Sequence, residues 1–269
     1  MPTFQIIVCA GIVPEPLQTL EPVENAGKYA LKNEAMLPMI IDPWGMHALY
    51  EAAHLSKTYP GSKIYLVVAA PKGKLQQVMM TIAQKVPFEL IAIDTPAGGF
   101  TEAYEVAKAL EQAIKSIPAL DMSQTLLFGG WESASRCSGA TMQMLGEMLG
   151  ITEQFQGVDT LTVKEDGSFE IMERVEGGLH QKSTFDKLPA VLGWATGDLP
   201  EPPNNPQIGM MNMRGIMPSI MKAKKEDLPN EGIELKSCEV PKALRETKIV
   251  DNMTEEMIAN EIFTWIKKD

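Results

Sequence analysis

The sequence predicts an α/β fold, in the form of a doubly wound, mostly parallel sheet with helices on both faces, added antiparallel strands and a C-terminal arm. Short apolar runs alternate with longer amphipathic stretches up to residue 150, and further strand-like runs follow one another after that point. The early runs are apolar at nearly every position, as in strands that are covered on both faces. Strands that alternate with helices typically form a parallel sheet.

The first half of the chain supplies the predicted parallel strands and the helices between them. The predicted strands are 4–9, 64–69, 89–93 and 125–129, and the predicted helices begin at 42–43 and cover 74–84 and 102–117. Asp42 can cap the free amides of the first helix, and Pro43 suits its first position. The apolar stripe of that helix, at i, i+3, i+4 and i+7, is Met46, Leu49, Tyr50 and Ala53.

After Gly150 the pattern changes to consecutive strands. These are predicted at 161–163, 169–175, 179–185 and 190–195. The sequence Asp166-Gly167 suits the tight hairpin that joins the first two. We expect these strands to extend the same sheet in antiparallel fashion or to form an added layer.

The end of the chain divides into a proline-rich stretch, an arm and a helix. Prolines lack amide donors, so 197–206 is predicted to be a loop, and the weakly periodic 226–253 is predicted to be an extended arm. An amphipathic helix is predicted over 254–267. The residues of its apolar face are Ile258, Ile262, Trp265 and Ile266.

The composition excludes several classes of protein. Lys and Arg number 24 against 35 Asp and Glu, which gives a net charge of −11 and argues against binding to duplex nucleic acid. The scattered cysteines Cys9, Cys137 and Cys238 suit a reducing, cytoplasmic location rather than a disulfide framework. No apolar run is long enough to span a membrane.

The common catalytic motifs are absent from the sequence. It contains no GxxxxGK[ST], no GxGxxG after a strand, no GxSxG and no CxxC. His47, Glu51 and His54 share one face of the first helix, so a metal site is conceivable. That face is opposite the apolar stripe, which favours a solvated polar surface. We therefore predict that the chain is not an autonomous enzyme.

The loop after the strand 125–129 is the most informative local feature. Small residues over 129–141 connect this strand to a helix that runs to about residue 149. At the carboxyl edge of a parallel sheet, such a loop offers free amides and a helix dipole to an anion, and Arg136 could add a positive charge. The alternative is a tight packing turn in which Arg136 pairs with a surface carboxylate.

Six segments, taken in order, share a pattern with a known family. They are IIVCAGIVP at 6–14, IDPWG with ALYEA at 41–52, the stretch 129–150, RVEGG at 174–178, LPAV at 188–191, and GIMPSIMKAKK at 215–225. Over about residues 4–225 they resemble the β subunit of electron-transfer flavoproteins, the ETF/Fix β family. The resemblance implies an electron carrier that pairs with an α subunit holding FAD and serves a flavin-dependent, acyl-CoA-type dehydrogenase.

The resemblance also implies a pocket in this chain for AMP or, in electron-bifurcating members that exchange electrons with NADH, for a second FAD. The residues at the corresponding positions are Cys9, Ala10, Gly11, Asp42, Pro43, Trp44, Gly45, Ala69, Ala70, Gly129, Gly130, Trp131, Arg136, Cys137, Ser138, Gly139, Ala140 and Thr141.

The resemblance divides the chain into two parts. Residues 1–225 would form the nucleotide-binding domain, with a docking loop at about 197–225, and 226–269 would form an arm and helix that pack on the α subunit. The docking residues are predicted to be Ile216, Met217 and Pro218. Met217 stands where the family has an apolar anchor, although it could instead cover its own domain.

The chain departs from the family pattern in the nucleotide loop. Ala134 and Arg136 replace two aspartates, Cys137 replaces a threonine and Gly139 a glutamine. Three outcomes stay open: AMP bound through amides, FAD bound with Arg136 on its pyrophosphate, or a degenerate pocket. Alternatives to a redox role are therefore an adenine-nucleotide-binding module and a structural subunit. The order Glu173-Arg174 is also reversed, which puts in doubt any subunit salt bridge there.

Overall fold

The structure is a computed structural model that describes residues 2–25, 28–98, 101–228, 239 and 249–267. The strands are β1 (Gln5–Ala10), β2 (Ile12–Pro14), β3 (Pro22–Asn25), β4 (Lys28–Leu31), β5 (Met39–Ile41), β6 (Lys63–Ala70), β7 (Glu89–Asp94), β8 (Thr125–Gly130), β9 (Glu153–Val163), β10 (Phe169–Arg174), β11 (His180–Phe185) and β12 (Ala190–Trp194). The helices are α1 (Pro43–Thr58), α2 (Lys72–Ile82), α3 (Ala103–Lys115), α4 (Thr141–Met148), α5 (Pro206–Lys222) and α6 (Glu255–Ile266).

The described residues form one eight-stranded sheet with the order β11-β10-β9-β12-β8-β1-β6-β7. Every neighbouring pair is parallel except the two pairs that involve β10. The predicted fold class is therefore confirmed. Two small antiparallel pairs, β2 with β5 and β3 with β4, were not predicted. None of the helices that the structure describes is long and apolar enough to cross a lipid bilayer.

Helices cover both faces of the sheet because side chains alternate along each buried strand. On β1, Ile6 and Val8 pack with residues of α1, α2 and α5, whereas Ile7 and Cys9 pack with residues of α3 and α4. From β1 the chain moves outward through β6 to β7, and it then returns to place β8 on the other side of β1. This reversal leaves a crevice at the carboxyl ends of β1 and β8.

The strands after residue 150 extend the same sheet, as one of the two expectations states, but of these strands only β10 runs antiparallel to the rest of the sheet. β9 is longer than predicted because its first part, Glu153 to Thr160, alternates polar and apolar residues and has no continuous apolar run. β12 lies between β8 and β9 and is parallel to both. The hairpin at Asp166-Gly167 is confirmed, with Gly167 in the left-handed region at φ +84°.

The register of β9 shifts around Gly157 and Asp159, which marks a β-bulge. Gly157 has φ +69°, and the bulge turns Asp159 into the protein, where it is only 4% exposed. Arg174 donates two hydrogen bonds to the Asp159 carboxylate, at 2.8 and 3.1 Å, and His180 Nε2 lies 2.8 Å from it. This cluster ties β9 to the edge hairpin of β10 and β11.

We expect the substitution Asp159→Asn to remove a pH-dependent part of the stability. Burial alone would raise the pKa of Asp159, but hydrogen bonds from His180 and Arg174 outweigh it and hold this pKa below its ordinary value. The pKa of Asp159 is lower in the folded state than in the unfolded state, where it is ~3.9, so the ionised carboxylate stabilises the fold at pH values above ~3.9. This contribution is lost as the pH falls through the pKa of the folded state.

Because the Arg174 and His180 side chains are 42% and 40% exposed, we expect a loss of only about 2 kcal/mol at pH 7 and a smaller loss as the pH falls below ~3.9 and the carboxyl is protonated. Urea unfolding at several pH values measures both. The exposed Asp186→Asn serves as a control and should change little. An equal loss for Asp159→Asn at every pH would contradict the prediction.

The predicted docking loop at 197–225 is wrong over most of its length. The proline-rich 197–205 is irregular, but α5 begins at Pro206, where the Asn205 side chain accepts hydrogen bonds from the Gln207 and Ile208 amides. Pro218 lies inside the helix, and the docking loop was expected here only from the family resemblance. The helix forms because residues three or four positions apart lie on one face, and this mostly apolar face is buried against α2 and β7. The buried residues are Gly209, Asn212, Ile216 and Ile220.

Ile216 is only 1% exposed and belongs to the core, so it does not lie on the surface of this chain, and docking by this segment stays a prediction. Met217 is half-buried, and Pro218 is exposed. The solvent face of α5 instead presents Met210, Met211 and Met221.

The C-terminal helix α6 is present as predicted. The Thr254 side chain caps it by accepting a hydrogen bond from the Met257 amide, and none of its residues is buried. Its apolar residues Ile258, Ile262 and Trp265 are between 46% and 63% exposed. The predicted arm at 226–253 lies largely outside the described residues, and its packing on another subunit stays a prediction.

Candidate functional site

A cleft lies at the carboxyl ends of β1 and β8, at the reversal of strand order. It is lined by residues of four segments that the sequence analysis assigned to one pocket. The predicted residues that line it are Cys9, Ala10, Gly11, Asp42, Gly45, Ala69, Gly130, Arg136 and Thr141. The structure thus brings together positions that are far apart in the sequence.

The other predicted residues lie next to this cleft without lining it. Pro43 and Trp44 form the first turn of α1, Ala70 and Gly129 lie within the ends of β6 and β8, and the rest belong to the turn before α4. Those in the turn are Trp131, Cys137, Ser138, Gly139 and Ala140.

Sequence reasoning missed part of the lining. The missed residues are Ile12, Val13, Ala97, Gly98, Val106, Leu110 and Met142, whereas Glu132, Ser133 and Ser135 belong to the predicted loop 129–141 without having been singled out. Val106 and Leu110 are four residues apart on the apolar face of α3, a spacing visible in the sequence. That spacing indicates a buried face but does not tell which part of it borders a cleft.

The cleft has an apolar floor and a polar rim. Cys9, Ala69, Val106, Leu110 and Met142 are all at most 7% exposed and form the floor. Hydroxyls, a carboxylate and a guanidinium form the rim. The rim residues are Asp42, Glu132, Ser133, Ser135, Arg136 and Thr141. A mostly apolar cleft with a few polar groups is typical of small-molecule sites.

Asp42 joins α1 to the loop before α4. Its side chain accepts a hydrogen bond from the Trp44 amide at 3.2 Å and another from the Ala134 amide at 2.7 Å. Burial raises the pKa of Asp42, although these amides and the nearby positive charge of Arg136 oppose the rise. The carboxylate therefore occupies the positive end of α1 and holds the loop against it.

Arg136 lies across the cleft from α1 and is held by neutral oxygens. Nη1 donates to the Thr101 carbonyl at 2.8 Å and Nη2 to the Thr141 hydroxyl at 3.4 Å, while the buried Nε has no partner. Burial lowers the pKa of Arg136, and the charges of Asp42 and Glu102 oppose this. The guanidinium therefore bonds to these neutral oxygens and does not pair directly with a surface carboxylate, which was the alternative that the sequence left open.

The glycines at the end of β8 are explained by packing. A Cβ at Gly130 would lie 2.6 Å from Trp44 Cβ and 2.8 Å from the Glu132 carbonyl oxygen, and a Cβ at Gly129 would overlap the Met142 side chain. These glycines let α1 and α4 approach the sheet closely. They do not by themselves indicate a phosphate.

The start of α4 retains free amides. Its N-cap residue, Ala140, has no side chain that can accept a hydrogen bond, and Thr141 at the first position lines the cleft. Uncapped amides at a helix start are donors suited to an anion. The Arg136 guanidinium, which contacts Thr141, adds positive charge at this same point.

The two described cysteines differ in environment. Burial raises the pKa of the Cys9 thiol to about 12, so the thiol on the floor of the cleft stays protonated. Cys137 is exposed, and its thiol lies 3.2 Å from the Ser133 carbonyl oxygen, to which it donates. In the described part of the chain, neither cysteine has another cysteine beside it with which it could form a disulfide.

The predicted polar face of α1 is partly wrong. Glu51 is only 7% exposed, because the segment that follows β12 covers it. The Glu51 carboxylate accepts a hydrogen bond from the Leu199 amide at 3.1 Å, and His54 Nε2 lies 2.7 Å from the Pro200 carbonyl oxygen. Within the described ranges, no three His, Cys, Asp or Glu side chains are grouped as metal ligands would be.

Two comparisons with known proteins gave no match for this chain. No protein-family model matches the chain, and no curated protein sequence is significantly similar to it.

Proposed function

We propose that the chain is the β-type subunit of a heterodimeric electron-transfer flavoprotein and that its cleft binds an adenine nucleotide. The observation that supports this most is the meeting of the segments 9–11, 42–45 and 130–141 around one cleft. The family resemblance assigns these same segments to the nucleotide pocket. Their meeting place, at a reversal of strand order, is where open α/β sheets usually bind nucleotides.

The chemistry of the cleft suits an adenine nucleotide. The flat, apolar base fits the floor, where Met142 offers a sulfur atom for contact with an aromatic ring. Ribose hydroxyls can donate to the Asp42 carboxylate, because each of its oxygens has a lone pair left after accepting one amide. Phosphate oxygens can accept from Arg136, from the Ser133 and Ser135 hydroxyls and from the first amides of α4.

In this proposal the flavin supplies the redox chemistry when it is bound, and this chain supplies binding and orientation. Either AMP or the adenosine part of a second FAD would occupy the cleft. The exposed apolar side of α6 would contact the FAD-holding α subunit. The exposed methionines of α5, with Met217 at their edge, would contact a flavin-dependent dehydrogenase.

We expect Arg136→Met to weaken the binding of AMP by about tenfold. The change removes a charge-assisted hydrogen bond to phosphate, which is worth roughly 1.5–3 kcal/mol, less the cost of replacing the contacts with Thr101 and Thr141. Calorimetric titration of the purified chain with AMP, and with GMP to test the base, measures the loss. Arg214→Met removes the same charge from the exposed face of α5 and should leave AMP affinity unchanged. Equal affinities for the two variants would contradict the role of Arg136.

The redox part of the proposal needs the intact complex. The chain is co-purified with its flavin-binding partner subunit, the complex is denatured, and the released FAD and AMP are quantified. One FAD with one AMP per complex is the result expected of a simple carrier, and two FAD are expected of a bifurcating one. Bound adenylate without any flavin-binding partner would indicate a nucleotide-binding module. The absence of both adenylate and FAD would indicate a structural subunit.

A further inference from the structure

The edge of the main sheet at β7 lies in an open groove that is separate from the cleft at β1 and β8. The groove has a volume of about 510 Å³. It is bounded by β7 at its base, by α3 on one side and by the end of α5 on the other. Residues that define it are Ala92 and Ile93 of β7, Gln112 and Ser116 of α3, and Ser219 and Lys222 of α5.

The base of the groove is a strand edge with unused hydrogen-bonding groups. Asp94 directs its N–H and C=O away from β6, where they bond the Lys224 carbonyl at 3.1 Å and the Glu226 amide at 2.8 Å. Leu90 directs its carbonyl the same way, to the Ser219 hydroxyl at 2.6 Å. By the period of two, Ala92 between them also faces the groove. Its N–H and C=O pair with no backbone group among the residues that the structure describes.

The chain itself shows how this edge is extended. Lys225 forms a parallel bridge with Asp94, which is a ninth strand only one residue long. An exposed strand edge is a template for another strand, and adding one is a common way to bind an extended peptide. A segment that continued this pairing beside Ala92, before the Leu90 carbonyl that Ser219 occupies, would run parallel to β7 and would end beside Lys224.

The charged residues at the Lys224 end of the groove indicate which kind of segment would bind there. Lys222 and Lys224 line the groove and are exposed, and the half-buried Glu226 also lines it, so two positive charges stand against one negative charge there; Lys225 is paired with Asp227. These lysines belong to the basic stretch MKAKK, in a chain whose net charge is −11. A parallel strand would bring its C-terminal end to these lysines, so acidic residues or a free carboxylate there would be attracted.

A second copy of this chain is a poorer occupant. Its own β7 lies at the base of the same groove, between α3 and α5, so the two edges could not meet without moving these helices. We infer that the β7 groove binds a single extended segment of a partner polypeptide, which adds as a parallel strand and places an acidic C-terminal end on Lys222 and Lys224. This inference does not depend on the nucleotide cleft or on a flavin.

The test uses the full-length chain and two synthetic peptides, acetyl-VTVTVEE with a free carboxylate and acetyl-VTVTVKK-amide. We expect the acidic peptide to bind about tenfold more tightly than the basic one and to slow the hydrogen exchange of the Ala92 amide. Ala92→Pro removes this amide from an edge position where proline is tolerated, and it should weaken acidic-peptide binding by about tenfold. The double variant K222E/K224E should reverse the preference.

Several results would overturn the inference. They are equal binding of both peptides, no binding of either at about 1 mM, and acidic-peptide binding that survives both variants. Protection of the Ala92 amide in the free chain would mean that the edge is already occupied. A dimer of the free chain that Ala92→Pro dissociates would assign the groove to a second copy.

Discussion

Replacing Asn212 with alanine is expected to lower the free energy of unfolding by about 3 kcal/mol. The Asn212 side chain, 6% exposed, donates to the Ala83 and Val86 carbonyls at 2.7 and 2.6 Å and accepts from the Phe88 amide at 3.3 Å. Alanine would leave these backbone groups buried without partners, at roughly 1–3 kcal/mol each before any water enters.

Urea unfolding monitored by circular dichroism measures this loss, with an unchanged denaturant slope as evidence that the folded state is retained. The exposed Asn204→Ala makes the same chemical change and should alter stability by no more than about 0.5 kcal/mol. A loss below about 1 kcal/mol for Asn212→Ala would mean that water reaches the turn between α2 and β7 and replaces the side chain.

Gly130→Ala is expected to cost about 2–3 kcal/mol and to disturb nucleotide binding as well. The new methyl group would lie 2.6 Å from Trp44 Cβ, 2.8 Å from the Glu132 carbonyl oxygen and 3.3 Å from the Gly45 amide nitrogen. Two of these atoms belong to the backbone, so the first turn of α1 must move away from β8. That turn begins at Asp42, which holds the loop before α4.

The same unfolding assay and an AMP titration test this prediction together. Gly215→Ala is the matched control, because no atom lies within 4 Å of its added Cβ on the outer side of α5. A helical alanine there should raise stability by up to about 1 kcal/mol and leave AMP affinity unchanged. If Gly130→Ala behaved like Gly215→Ala, the packing of α1 against β8 would not be as close as described.

The parallel core was predictable because its strands are covered on both faces. The runs at β1, β6, β7 and β8 are apolar at almost every position, which few other structures allow. The first half of β9 was not predictable in this way. It has the polar residues Gln154, Gln156 and Asp159 on a strand with a bulge, and a bulge breaks the period on which strand prediction depends.

The error at α5 has a different cause. The prolines of 197–206 and the family resemblance favoured a loop, whereas the burial of Ile216 and Ile220 decides the local structure. Tertiary packing overrides local propensity when a helix can bury a whole stripe. The same competition applies to Glu51, which looks solvent-facing within α1 and becomes buried only because a distant segment crosses it.

The site was predictable where one segment carries its own signal, and not where distant segments meet. The loop at 129–141 was recognisable from a strand followed by small residues and a helix. The wall formed by Val106 and Leu110 was not, since apolar residues on a helix look alike whether they face a sheet or a cleft. The hydrogen bond from Ala134 to Asp42 likewise joins residues that no local pattern connects.

Cys9 provides a built-in reporter of how often the centre of the sheet opens. A protonated thiol that is 5% exposed at the floor of the cleft reacts with an alkylating reagent only when the packing around it opens. The rate at which a reagent labels Cys9, read from the mass of its peptide, therefore follows opening of the molecule beneath the cleft. A compound that fills the cleft would slow this labelling, while the exposed Cys137 provides a labelling standard in the same sample.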